Sequence, residues 1–286
     1  MIIDAHCHAG TGEGLSHPSN TEADLARYHR RAVAAGIDRT VVFATLTTDD
    51  YRTGNAQVAA IARRNPARYI PYVFVNPSYD RGRVRTIVQE AVSGWGCRGI
   101  KVHWVNGRIT REVLEVAERC RLPVLYDPRG DISTVELVLR SYPRVPLIVP
   151  HLGSFAGDWG SQVAIIDKLR THPNLFVDSS GVQYFDLLVD VVRKGGPDRL
   201  IFGSDGPFLH PGVELAKVKL LGLPPEQLAL VTSGTILRLL GPGAPPRPAA
   251  AATTDKVGIR ASRKGFGAVG SVPLTAGTTP RTGVRP

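Results

Sequence analysis

Eight short apolar runs, rich in β-branched and aromatic residues, recur between residues 1 and 208, each followed by a longer amphipathic stretch. They are MIIDAHC (1–7), TVVFATL (40–46), YIPYVFVNP (69–77), CRGIKVHW (97–104), LPVLYDP (122–128), VPLIVPHLG (145–153), NLFVDSS (174–180) and RLIFGSDGPF (199–208). Runs this continuous read as strands buried on both faces, and strands that alternate with helices read as parallel. The stretch SNTEADLARYHRRAVAAG is one such helix, with Ser19 or Thr21 as its cap and Gly36 closing it in the left-handed conformation. Eight units of this kind predict an α/β fold of the TIM type, a (β/α)8 barrel, with an open doubly wound sheet as the alternative.

The placement of polar residues favours the barrel. Seven of the eight runs end on an ionisable or hydrogen-bonding residue: His6 and His8, Thr45, Asn76, Lys101 and His103, Asp127, His151 and Asp205. A closed barrel keeps its chemistry around one mouth at the C-terminal ends of its strands, whereas an open sheet gathers it at a single switch point.

Residues 1–241 therefore form one domain, and residues 242–286 a tail predicted to be disordered. The tail is dominated by Pro, Gly, Ala and Thr, and carries Arg247, Lys256, Arg260, Arg263, Lys264, Arg281 and Arg285 against Asp255, most of the net charge of +10. A body so mildly basic, without clustered basic and aromatic residues, excludes nucleic acid as the expected partner. No charged segment leads into an apolar leader, and no apolar run has the length of a membrane helix, so the chain reads as soluble and cytoplasmic. Three scattered cysteines, Cys7, Cys97 and Cys120, form neither a disulfide framework nor a zinc module.

Within the first run, His6 and His8 are two apart and share one face of a strand, while Cys7 points back toward the helices. Two neutral imidazoles side by side make half a site for a divalent ion, or a pair of hydrogen-bonded strand-end histidines. Asp4, two residues earlier, either buttresses an imidazole or faces a loop. Asp205 follows an apolar strand between two turns, where a carboxylate can bind a metal, take a proton from water, or cap a helix.

The ordered set DAHCH, GIKVHW, VPHLGS and IFGSDGPF resembles the amidohydrolase superfamily of metal-dependent enzymes, in its amidohydrolase-related branch of decarboxylases and hydrolases. The likeness runs from Met1 to about Leu240 and includes the closing SGTILRLLG segment. It implies that His6, His8 and Asp205 are metal ligands and that His151 works on the substrate or on water. It also implies a ligand at the end of the fifth strand, where the family has histidine and this chain has Asp127. Zinc is the first expectation and manganese the second, since a charged oxygen in place of nitrogen weakens the preference for soft metals.

Lys101 and His103 share a face of the fourth strand. Lys101 serves as the cation for a substrate carboxylate, as a carboxylated bridge between two metals, or as the partner of Asp127 or Asp205. Arg129 grips a carboxylate in bidentate fashion or pairs with a loop acid. His17, His29, His172 and His210 read as ordinary surface or capping residues, and Asp158 and Trp159 as candidate pocket lining. The function expected is hydrolysis or non-oxidative decarboxylation of a small carboxylate-bearing molecule, with homodimerisation left open. The alternative is a relic barrel that has lost turnover.

Overall fold

The computed structural model describes residues 1–13, 22–155 and 158–241. The predicted tail, His17 and the two expected caps Ser19 and Thr21 lie outside the described residues. Eight strands alternate with helices: β1 (Ile3–Thr11), β2 (Arg39–Ala44), β3 (Tyr69–Pro71 and Val73–Phe74), β4 (Ile100–His103), β5 (Val124–Asp127), β6 (Leu147–Val149), β7 (Leu175–Asp178) and β8 (Leu200–Ile201). The helices that follow them are α1 (Leu25–Ala34), α2 (Arg52–Arg64), α3 (Val84–Trp95), α4 (Arg111–Cys120), α5 (Ile132–Ser141), α6 (Trp159–Lys168), α7 (Phe185–Gly195) and α8 (Pro211–Leu220). The closing SGTILRLLG segment runs from a π-helical turn into a final helix, Thr235–Leu240.

Each strand pairs in parallel with the next, from β1 through to β8. The ring closes where the Ala5 amide donates to the Phe202 carbonyl at 2.9 Å and Cys7 bridges Gly206 in parallel. This is the (β/α)8 barrel expected from the eight runs. Apolar residues facing inward and toward the helices explain why the runs are continuous rather than alternating: Val41, Val42, Phe43, Val73 and Phe74 are all fully buried.

Local signals in the sequence account for the helices. In α1, Tyr28 and Ala32 stand one turn apart and are the buried face. Its cap is Asp24, whose carboxylate accepts from the Arg27 amide at 2.8 Å, and Gly36 follows its end at φ 77°. Among the described residues no helix is long and apolar enough to cross a membrane.

β1 carries one irregularity that matters for the site. Asp4 is level with Thr40 and Cys7 with Val42, so three steps along β1 answer two along β2. A bulge of this kind re-aims side chains. Asp4 consequently faces away from the mouth, accepting from Tyr28 Oη at 2.6 Å, from the Ser204 amide at 2.9 Å and from the Ser204 hydroxyl. It fastens β1 to the end of β8 and buttresses no imidazole ring, and burial pushes its carboxyl up to about 6 against those hydrogen bonds.

Candidate metal centre

The C-terminal mouth opens into a pocket of about 520 Å³ whose lining includes His6, His8, Lys101, His103, Asp127, Arg129, His151 and Asp205. The structure thus gathers at one place the residues to which the sequence gives metal, catalytic or substrate-binding roles. Thr45 is also in the lining, but Asn76 is a loop anchor, accepting from the Ser78 and Tyr79 amides and donating to the Thr48 and Asp49 carbonyls.

His6, His151 and Asp205 offer ligand atoms that lie within 4.8 Å of one another. Asp205 Oδ1 stands 3.3 Å from both His6 Nε2 and His8 Nε2. The hydrogen-bond partners assign the tautomers. His6 Nδ1 meets the Asp178 carboxylate at 2.8 Å, His8 Nδ1 the Ala44 carbonyl at 3.2 Å and His151 Nδ1 the Ser180 carbonyl at 2.8 Å. Each of these partners accepts only, so each ring keeps a proton on Nδ1 and turns Nε2, the atom a metal would take, toward the pocket. His6 Nε2 is buried without a hydrogen-bond partner. Imidazole nitrogens converging on a carboxylate need a proton or a cation among them, so the residues fit a divalent metal.

The electrostatics agree. Burial and the Lys101 ammonium act against protonation of His6, but Asp178 and Asp205 outweigh them and take it up to about 9, so a proton stands where a cation would replace it. Burial pushes His8 down to about 4. Burial opposes ionisation of Asp205, yet the adjoining His6 and His8 rings hold it well below the usual carboxylate range.

The other side of the mouth is built differently. His103 Nδ1 accepts from the Val105 amide at 3.2 Å, which leaves its proton on Nε2, 3.1 Å from Asp127 Oδ2. Asp127 also accepts from the Arg129 amide at 2.9 Å and lies 4.0 Å from His151 Nε2. Its carboxyl is held below the usual range, burial being outweighed by His103, His151 and Lys101. Lys101 is fully buried, and its Nζ lies over the Phe43 ring, 4.9 Å from the centroid. It has no ion-pair partner among the described residues, and burial lowers its pKa against the pull of Asp127, Asp205 and Asp178. Arg129 stacks on Trp104 at 4.1 Å.

Three of these strand-end residues leave their strands with left-handed backbone: Arg129 (φ 44°), His151 (φ 55°) and Asp205 (φ 55°). Outside glycine this region is sparsely populated and concentrates at functional sites. Trp159 and Asp158 are not among the pocket-lining residues: Asp158 caps α6, and Trp159 meets Tyr184 edge-on at 5.0 Å. His29, His172 and His210 have local roles, His210 capping α8. Phe155 and Phe208 add aromatic walls that the sequence did not single out. Asp178, the last residue of β7, is the larger omission.

A family model described as Amidohydrolase matches residues 3–242. Among solved structures, 5-carboxyvanillate decarboxylase from Sphingomonas paucimobilis is similar at 14% identity and a TM-score of 0.66, covering 84% of this chain and 98% of that one. A dihydroxybenzoic acid decarboxylase from Polaromonas sp. JS666, with bound manganese and the inhibitor 2-nitroresorcinol, is similar at 13% identity and a TM-score of 0.63, covering 84% and 96%. A putative 2-pyrone-4,6-dicarboxylic acid hydrolase from Pseudomonas putida is similar at 18% identity and a TM-score of 0.62, covering 84% and 97%. None of the curated proteins compared with the chain matches it.

Proposed function

Because the chain belongs to the amidohydrolase family, a family of enzymes, we propose that it is a metal-dependent carboxy-lyase acting on a small ring-bearing carboxylic acid. The observation that carries this reading is the pairing, in one pocket, of imidazole lone pairs converging on Asp205 with two cationic side chains, Lys101 and Arg129. The solved relatives support it, since the compounds in their names are ring carboxylates.

His6, His8, His151 and Asp205 would hold the metal, zinc or manganese, with Asp127 at the edge of the group. Bound there, a divalent cation supplies Lewis acidity toward a substrate oxygen. Lys101, desolvated and without a carboxylate partner among the described residues, binds the substrate carboxylate, and Arg129 braces it from the rim while stacked on Trp104. Trp104, Phe155 and Phe208 flank the ring and keep water out. His151 has its Nδ1 proton committed to Ser180, which leaves Nε2 for the metal, and His103, which offers its Nε2 proton beside Asp127, is the group that moves a proton.

Hydrolysis is the second reading, favoured by the likeness to the pyrone dicarboxylic acid hydrolase. Metal-loaded protein supplied with a panel of hydroxybenzoates and carboxylated lactones decides between them. Release of carbon dioxide that stops on chelation supports the lyase. Ring opening without carbon dioxide replaces it with the hydrolase, and no turnover of any member after metal loading sinks both.

A further inference from the structure

Asp178 ends β7, is fully buried, and is not among the pocket-lining residues, yet it touches both sides of the imidazole group. Its Oδ2 lies 2.8 Å from His6 Nδ1. Its Oδ1 accepts from the His151 amide at 3.1 Å, from the Ser180 amide at 3.0 Å and from the Ser180 hydroxyl at 2.6 Å. That hydroxyl is also 3.0 Å from His151 Nδ1 and 3.3 Å from His6 Nδ1, while the Ser180 carbonyl takes the His151 Nδ1 proton. Gly203 on the neighbouring strand end makes room for the contact, because a Cβ there would stand 3.0 Å from His6 Cβ and 3.2 Å from Asp178 Cγ.

We propose that Asp178, assisted by Ser180, is the positioning residue that sets the tautomer of His6 and the backbone turn of His151 together. The proposal rests on the reading of those two imidazoles as groups around a cation. β1 and β6 are not neighbours in the barrel, so nothing in the strand pairing aligns their side chains, and one carboxylate performs the alignment from β7, next to β6. A carboxylate oxygen can only accept, so it admits His6 in the form with hydrogen on Nδ1 and a lone pair on Nε2. Its other oxygen holds the amide of His151, and so helps to hold the left-handed turn (φ 55°) that aims that ring. An amide in place of the carboxylate would offer hydrogens as well as an oxygen, and would admit the opposite tautomer.

The test compares wild-type protein, stripped of metal, with Asp178→Asn. Long-range proton–nitrogen spectra of histidine-labelled protein, recorded where the His6 ring is neutral, should show hydrogen on His6 Nδ1 in the wild type and its loss in the variant. Titration with Mn2+ alone should show an affinity about 10- to 100-fold weaker in the variant. Ser180→Ala keeps the carboxylate, so it should preserve the His6 tautomer and weaken Mn2+ binding by a smaller factor. Should Asp178→Asn fail to fold, Asp178→Glu makes the same point: it should retain hydrogen on His6 Nδ1 while loosening Mn2+, through a carboxylate displaced by one methylene. An Asp178→Asn protein that keeps the wild-type tautomer and binds Mn2+ within about twofold of wild type overturns the proposal. A wild type that takes up no Mn2+ overturns the metal reading instead, and the tautomer spectra then decide this one.

Discussion

Each side of the mouth carries a histidine two residues after another basic residue, and the two reach opposite arrangements. On the β1 side, His6 and His8 stand two apart at a strand end, with their Nδ1 protons turned outward to acceptors and their lone pairs turned in. On the β4 side, His103 stands two residues after Lys101, but a backbone amide occupies its Nδ1 and its proton is turned in, toward Asp127. The partner behind each ring, an acceptor in one case and a donor in the other, separates a side suited to a cation from a side suited to delivering a proton.

The largest break in this comparison comes from replacing His6 and His8 together by alanine. Metal content, read by elemental analysis, should fall from about one equivalent per chain to none, and retention of the metal would place the ligands elsewhere. His103→Ala should do the reverse, keeping the metal while turnover falls by about 10²- to 10⁴-fold. Metal loss in that variant would erase the distinction between the two sides. Lys101→Met sharpens the second side: KM for an acidic substrate should rise by about 10-fold or more, and much less for its methyl ester. Equal effects on acid and ester exclude carboxylate recognition, while loss of metal identifies a carboxylated bridging lysine. Removal of residues 243–286 should be the smallest change, leaving metal content and Tm nearly as they were. A fall in Tm of more than a few degrees would show that the tail contributes to the fold.

The barrel was legible because each strand is a continuous apolar run and each helix has one face, and the polar residue closing each run marked the mouth. Residues that line the pocket directly, such as His6, His8 and Asp205, were legible by the same rule. What escaped were partners behind them. Asp178 sits before two serines and reads as the start of a turn, and its value depends on His6, which is remote in sequence and close only once the barrel closes. Asp4 obeyed the i, i+2 rule on paper, but the bulge in β1 removed it from the face of His6. The tautomer of His103 depends on a backbone amide two residues on, and so on a backbone conformation that residue type does not encode.

The seam where β8 meets β1 gives the order of synthesis a chemical meaning. Asp4 and Ser204, which fasten it, are 200 residues apart, and His6, His8 and Asp205 flank the same seam. A chain emerging from the ribosome presents both histidines with the first strand and their carboxylate only after all eight strands have been made. Until the eighth strand is made the first lacks its second neighbour, and the two imidazoles lack Asp205, so a chain stopped short of β8 has neither a closed ring nor a complete site. Closing so long a loop costs little more entropy than closing a moderate one, because the cost grows only with the logarithm of loop length. Competence to bind therefore arrives in one step once Asp205 joins the ring, and a complete site reports that all eight strands have been built.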